Sequence, residues 1–209
     1  MFTIYGGGTS TEDKNILDFK IHCFEPSAYT FEKLSLTHNN NKKVILNNFG
    51  LSNHENQATL YSNADGSGLA SLTKRRLDHF KINFDKTECV QLSTLDIYCK
   101  TQKISHINLL KLDVEGHELD VLNGAKDMFT KQAIDMVTFE FGGCNIDTRT
   151  FFQDFWYFFS ENNMNIYRIL PNTTLYYIDS YKEIDEQFIT TNYIGITKKC
   201  TIKKEMLAR

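Results

Sequence analysis

The chain has 209 residues, of which 41% are hydrophobic and 13% aromatic, with only two prolines; this excludes a disordered chain and suits one domain with a core that needs no staples. A formal net charge of −3 argues against a phosphate-neutralising surface, so no nucleic-acid partner is expected. Cys23, Cys89, Cys99, Cys144 and Cys200 are scattered without a CxxC pair, and no basic-then-apolar leader or run of about 18 apolar residues is present, so the expectation is reduced thiols, a cytoplasmic location and no membrane span.

In chain order, Phe2 to Tyr5 predicts a short strand, followed by a Gly6-Gly7-Gly8 turn. Thr9, Ser10 or Thr11 is placed to cap a short helix, with Glu12 and Asp13 in its first turn. Lys20 to Phe24 predicts a second strand closed by Glu25-Pro26, and Ser27 opens a helix to about His38 with Phe31, Leu34 and Leu36 near its inner face. Val44 to Phe49 is a third strand. Period-two character around Gln57 to Tyr61 is followed by a loop at Gly66 to Gly68, then by strand-like Cys89 to Leu92 and a helix from Ser93 to Gln102. Ile107 to Leu112 is nearly continuous in apolar residues, the pattern of a parallel strand covered on both faces. A helix from about Glu115 carries Leu119 and Leu122 and breaks at Gly124. Ile134 to Phe141 is a further strand. Phe151, Phe152, Phe155, Trp156, Phe158 and Phe159 form an aromatic helical stripe, assigned to core packing. Ile166 to Leu170, a Pro171-Asn172 turn, Leu175 to Ile178 and Tyr193 to Thr197 complete an antiparallel end, and the basic residues of the tail 198–209 are expected in solvent. Strands alternating with helices, then hairpin-like strands, predict an α/β chain forming a single domain over residues 1–209.

In doubly wound sheets, ligands sit beyond the carboxyl ends of the strands. Glu25, Asp113 and Glu140 each fall at the end of an apolar run, so they are expected to share one cleft. Such clustering is unfavourable unless donors or cations compensate. An acid ending the second strand can accept bonds from both ribose hydroxyls; Glu25 has that place, or else serves the N-terminus of the helix beginning at Ser27. Asp113-Val114-Glu115-Gly116-His117-Glu118 packs three carboxylates and an imidazole into six residues. A helix dipole accounts for the acids but not for a glycine in the first turn, which suggests a close approach to the backbone at Gly116. His117 is a candidate general base, or a surface helix histidine. His117-Glu118 begins like a zinc-protease helix, but position 121 is Val, and no metal site is expected.

His22-Cys23-Phe24-Glu25-Pro26-Ser27 with Thr30-Phe31-Glu32-Lys33-Leu34, then Thr94-Leu95-Asp96, Leu109 to Leu119, Val121 to Ala125 and finally Asn192-Tyr193 resemble, in order, the blocks of the FkbM family of methyltransferases. The resemblance implies a Rossmann-like methyltransferase fold: a mostly parallel central sheet flanked by helices, with an antiparallel C-terminal edge. It implies S-adenosylmethionine as cofactor and O-methylation of a hydroxyl on a sugar or other small metabolite, so a small-molecule or glycan acceptor is the expected partner. Carried over, Glu25 with Pro26 would hold the ribose. Asn48, Gly50 and Leu51, with Ser71 at the end of its loop, would lie near adenine or the cofactor's edge. Asp113 would sit beside the methionine moiety and the methyl, Glu115 and His117 on the acceptor side, and Glu140 at the far wall; His117 or Asp113 would act as base.

At its start the chain departs from the family pattern of a strand ending in Asp and a turn Asp-x-Gly-Ala-Asn-x-Gly. Gly6, Gly7 and Gly8 either let the backbone approach the methionine end, or form a loop, or mark an atypical or truncated first unit over 1–19. The alternative function is therefore a non-catalytic protein of the same fold with a degraded cofactor site. A nicotinamide oxidoreductase is set aside, since no GxGxxG turn is present.

Overall fold

The apolar runs separated by turn formers become strands and helices in the computed structural model, which describes residues 2–7, 19–38 and 40–208. In chain order these are β1 (Phe2–Gly7), β2 (Phe19–Phe24), α1 (Ala28–His38), β3 (Val44–Asn47), β4 (Gly50–Leu51), β5 (Asn56–Ser62), β6 (Lys86–Ser93), α2 (Leu95–Gln102), β7 (Ile107–Lys111), α3 (Glu118–Asn123), α4 (Lys126–Thr130), β8 (Ile134–Phe141), α5 (Gly143–Thr148), α6 (Phe152–Glu161), β9 (Met164–Ile169), β10 (Leu175–Ile178) and β11 (Thr191–Thr197).

Eight strands form one sheet in the order β10-β9-β11-β8-β7-β1-β2-β3, and β4-β6-β5 form a second. In the large sheet β2 pairs with β3, and β7 with β8, in parallel; β11 is antiparallel to β8 and β9, and β10 to β9. The antiparallel C-terminal edge is as expected from the sequence. The centre corrects that expectation: β1 is antiparallel to both β2 and β7. Two reversals leave β2, β7 and β8 running the same way, so their carboxyl ends share one rim. They also carry Gly6 and Gly7, opposite Lys20 and Phe19, to the other end of β2. Thr9 to Asp13, expected as a short helix, and Gly8 lie outside the described residues.

Burial explains the register. Ile107 and Leu110 of β7 are fully buried, as its near-continuous apolar sequence requires. Beside it, Phe139 of β8 stacks on Phe155 and Phe159 of α6 and on Tyr193 of β11. The α6 stripe is thus core, with Phe152, Phe155 and Phe159 at 0% exposure. Removing a Phe from such a site typically costs about 3–5 kcal/mol. By contrast, α1 buries none of its residues completely, and Leu36, expected near its inner face, is exposed. The second sheet has its own small core of Leu60, Val90 and Leu92. The strand expected over Val44 to Phe49 ends at Asn47 in the large sheet, and the chain enters the second sheet just beyond it, at β4.

The basic side chains of the tail, Lys198, Lys199, Lys203 and Lys204, are exposed, while Leu207 bridges to Leu175 and the Ala208 amide donates to the Leu175 carbonyl. No helix of the described residues is long and apolar enough to cross a membrane.

Gly124 ends α3 with an ordinary φ of −80°, so its role is space. A Cβ there would stand 2.0 Å from the Ser52 carbonyl oxygen and 3.3 Å from Thr94 Cβ. Backbone cannot retreat as a side-chain end can. Gly124→Ala is expected to lower unfolding free energy by at least the roughly 1–3 kcal/mol typical of overpacking, read from urea denaturation midpoints; an unchanged midpoint would show that the loop at Ser52 yields freely.

Candidate active site

The rim at which β2 and β7 end opens into a cavity of about 600 Å³, lined among others by Glu25, Gly50, Ser71, Asp113, Glu115 and His117. Small-molecule and cofactor sites span about 300–1,000 Å³. Three segments build it: the end of β2, the second sheet with its following loop, and the turn between β7 and α3.

At the end of β2, Glu25 is buried and its Oε1 accepts the Ser27 amide at 3.0 Å, while Glu88 of β6 accepts the Ala28 amide at 2.7 Å. Two carboxylates therefore serve the first turn of α1, where amides lack helical partners. Burial above all pushes the Glu25 carboxyl upward, and the charge of Glu88 adds to this. Pro26 and Leu51 line the same wall. A Cβ on Gly50 would fall 2.7 Å from Leu92 Cδ2 and 3.5 Å from Pro26 Cβ, so the wall is drawn in tightly. Asn48 does not line the cavity. Its Nδ2 donates to the carbonyls of Glu25 and Pro26 at 2.9 and 3.3 Å and braces the rim from behind.

The turn from Asp113 to His117 departs from helical geometry: Glu115 has φ 51° and Gly116 φ 100°. Helix α3 begins at Glu118 and not at about Glu115 as the sequence suggested. A Cβ on Gly116 would meet Thr148 Cγ2 at 2.8 Å and the Cys144 carbonyl at 3.1 Å. The close approach inferred at Gly116 is therefore that of α5. The left-handed pair costs on the order of 1–3 kcal/mol at the non-glycine residue and is held by Glu118, 1% exposed, whose Oε1 accepts the amides of Val114 at 3.0 Å and Gly116 at 3.4 Å. Glu118 Oε2 has no hydrogen-bond partner among the described residues.

Over this turn lies the segment from Ser71 to Arg75, three of whose side chains reach it. Ser71 Oγ donates to the Glu115 carbonyl at 2.9 Å, Thr73 Oγ1 lies 3.0 Å from His117 Nε2, and Arg75 Nη1 donates to Glu115 Oε2 at 2.7 Å. Arg75 also stands 3.5 Å from Asp147 of α5. Its side chain is only 10% exposed, against 19% for Glu115, so the pair is poorly screened. Burial is the main force raising the Glu115 carboxyl, opposed by Arg75 and reinforced by Glu140 and Asp113. Glu140, near the end of β8, is raised first by burial and then by Asp113, with Lys111 and Arg75 opposing. Lys111 meets Asp113 at 2.7 Å on a half-exposed surface.

Six of the residues expected at a cofactor, Glu25, Pro26, Gly50, Leu51, Ser71 and Asp113, thus share one cavity with Glu115 and His117. Glu140, expected at the far wall, does not line this cavity and is linked to Glu115 and Asp113 only through its charge. Gly6 and Gly7 do not reach this rim. Thr73, Arg75, Asp120 and Asp147 were not singled out in the sequence; the polar alternation Ser71-x-Thr73-x-Arg75 was the one available signal. Among the described residues no group of three or more His, Cys, Asp or Glu is arranged to hold a metal ion.

Glu118 makes the turn sensitive to pH. Burial raises its carboxyl from an ordinary 4.5 to about 7. A raised folded-state value means the folded protein keeps a proton that the unfolded chain releases, so this contribution to stability is complete below pH 4.5 and fades as pH rises through about 7. Glu118→Gln, which stays neutral, is expected to flatten the stability curve over that interval relative to the parent chain, measured by urea unfolding; parallel curves would remove the assignment.

A family model described as the methyltransferase FkbM domain matches residues 11–167. No curated protein and no solved structure matches the chain.

Proposed function

The chain belongs to the FkbM methyltransferase domain family, and from this premise we propose that it transfers a methyl group from S-adenosylmethionine to a hydroxyl of a sugar or other small metabolite. The observation that carries the reading is the single cavity lined by both Glu25 and the Asp113–His117 turn. An acid at the end of the second strand suits a ribose diol, and carboxylates farther along the rim suit a cation.

When bound, the sulfonium donor would supply an already activated methyl group. The protein's part is then to bind, align and accept a proton. Glu25 would hold the two ribose hydroxyls, each hydrogen bond to its charged form contributing roughly 1.5–3 kcal/mol. Gly50 and Leu51 with Pro26 would form the flat wall for the base, and Ser71 would fix the covering loop through its bond to Glu115. Asp113, with Glu115 and Glu140 behind it, would place negative potential beside the positive end of the donor. These three acids repel one another, so a cation among them relieves that repulsion. Alignment of acceptor oxygen and methyl can lower the barrier by roughly 7–11 kcal/mol, and a general base adds about 10²–10⁴-fold. His117 lines the cavity and is the base we assign.

One observation favours a second reading, a protein of this fold without productive donor binding: Gly6 and Gly7 pair opposite Lys20 and Phe19, away from the rim. Calorimetric titration with S-adenosylhomocysteine separates the two. The methyltransferase reading expects saturable binding that Glu25→Ala weakens by about 1.5–3 kcal/mol, alongside the modest fall in melting temperature that loss of its bond to the Ser27 amide brings. Absence of binding would favour the second reading, and equal affinity of parent and variant would free Glu25 from the ribose.

A further inference from the structure

We propose that Asp120 is a positioning residue for His117, and that Thr73 masks the ring nitrogen with which His117 takes the proton of a hydroxyl acceptor. The inference rests on the methyltransferase reading and deepens it.

His117 occupies the N-cap of α3 but makes no cap bond with its side chain. Its ring is committed elsewhere. Nδ1 lies 2.8 Å from Asp120 Oδ2, one helical turn on, and Nε2 lies 3.0 Å from Thr73 Oγ1. The other carboxylate oxygen of Asp120 accepts from Asn53 Nδ2 at 2.8 Å. An ionised carboxylate only accepts, so Nδ1 carries the ring hydrogen and Nε2 the lone pair; that lone pair takes the Thr73 hydroxyl. Four residues from three segments thus form one chain, Asn53–Asp120–His117–Thr73, in which every donor meets an acceptor. A surface histidine needs no such support. The His117 side chain is 16% exposed and the residue lines the cavity. Charged groups on the elements packed around it include Glu118 beside it, Asp113 and Glu115 on the same turn, and Arg75 on the covering segment.

The acceptor would take the place of the Thr73 hydroxyl at Nε2. As its oxygen bonds to the methyl carbon, the carbon–sulfur bond breaks with its electron pair left on sulfur. The O–H bond breaks, its proton passes to Nε2, and the resulting imidazolium is balanced by Asp120. Asp120 touches neither substrate nor donor; it fixes which nitrogen is basic.

The consequence is specific. In Asp120→Asn the side-chain oxygen stays with Asn53 and the new amide hydrogens face Nδ1, which drives the ring hydrogen to Nε2. Nitrogen NMR of the His117 ring should therefore show the Nδ1–H tautomer in the parent protein and the Nε2–H tautomer in Asp120→Asn. Carbethoxylation of His117 by diethyl pyrocarbonate, mapped by mass spectrometry, should slow several-fold in Asp120→Asn and quicken in Thr73→Val, which unmasks Nε2. An Nε2–H tautomer in the parent, or one tautomer and one reaction rate in all three proteins, would overturn the positioning role. His117→Gln that bound S-adenosylhomocysteine normally and kept full methyl transfer would overturn the base. Failure of the parent protein to bind S-adenosylhomocysteine would instead remove the methyltransferase reading, with the ring measurements still standing.

Discussion

The candidate site hangs on how the backbone is held between the end of β7 and the start of α3. The six residues there, 112–117, turn through a left-handed pair, Glu115 and Gly116, that the chain would not keep unaided. A single buried carboxylate, Glu118, collects the amides of Val114 and Gly116. Arg75 closes the other side by pairing with Glu115 and approaching Asp147. Between them, these contacts set where Asp113, Glu115 and His117 point. A helix continuing smoothly from Glu115 would place these side chains differently.

The same region concentrates unfavourable charge. Glu25, Glu115, Glu118 and Glu140 all have carboxyls raised chiefly by burial. A fold that gathers raised carboxyls at one rim gives up stability there, a pattern found where charge serves a ligand. Arg75 and Lys111 offset part of it. The local cations divide the work: Arg75 is largely covered and structural in its contacts, while Lys111 sits half-exposed beside Asp113.

Much of this was legible in the sequence where the signal is local. The apolar runs at Ile107 and Ile134 and the aromatic stripe of α6 specify burial directly, and the acids at 25, 113 and 140 announce strand ends. What local pattern cannot carry is direction and long-range approach. The reversed pairing of β1 follows from hydrogen bonds to β2 and β7, not from anything in Phe2 to Gly7 that a parallel strand would lack. Gly116 is legible as a point of close approach, yet the approaching residues, Cys144 and Thr148 of α5, lie 28 and 32 residues away. Arg75 sits in an irregular stretch marked only by the polar alternation from Ser71, and only the folded chain brings it to Glu115.

The central claim is that the end of β2 and the β7–α3 turn are two walls of one ligand site. A crystal structure with S-adenosylhomocysteine tests it most directly. The account predicts the ribose hydroxyls at Glu25, the base against Gly50 and Leu51, and the sulfur beside Asp113. A nucleoside bound elsewhere, or a rim at which Glu25 and Asp113 contact different molecules, would contradict it.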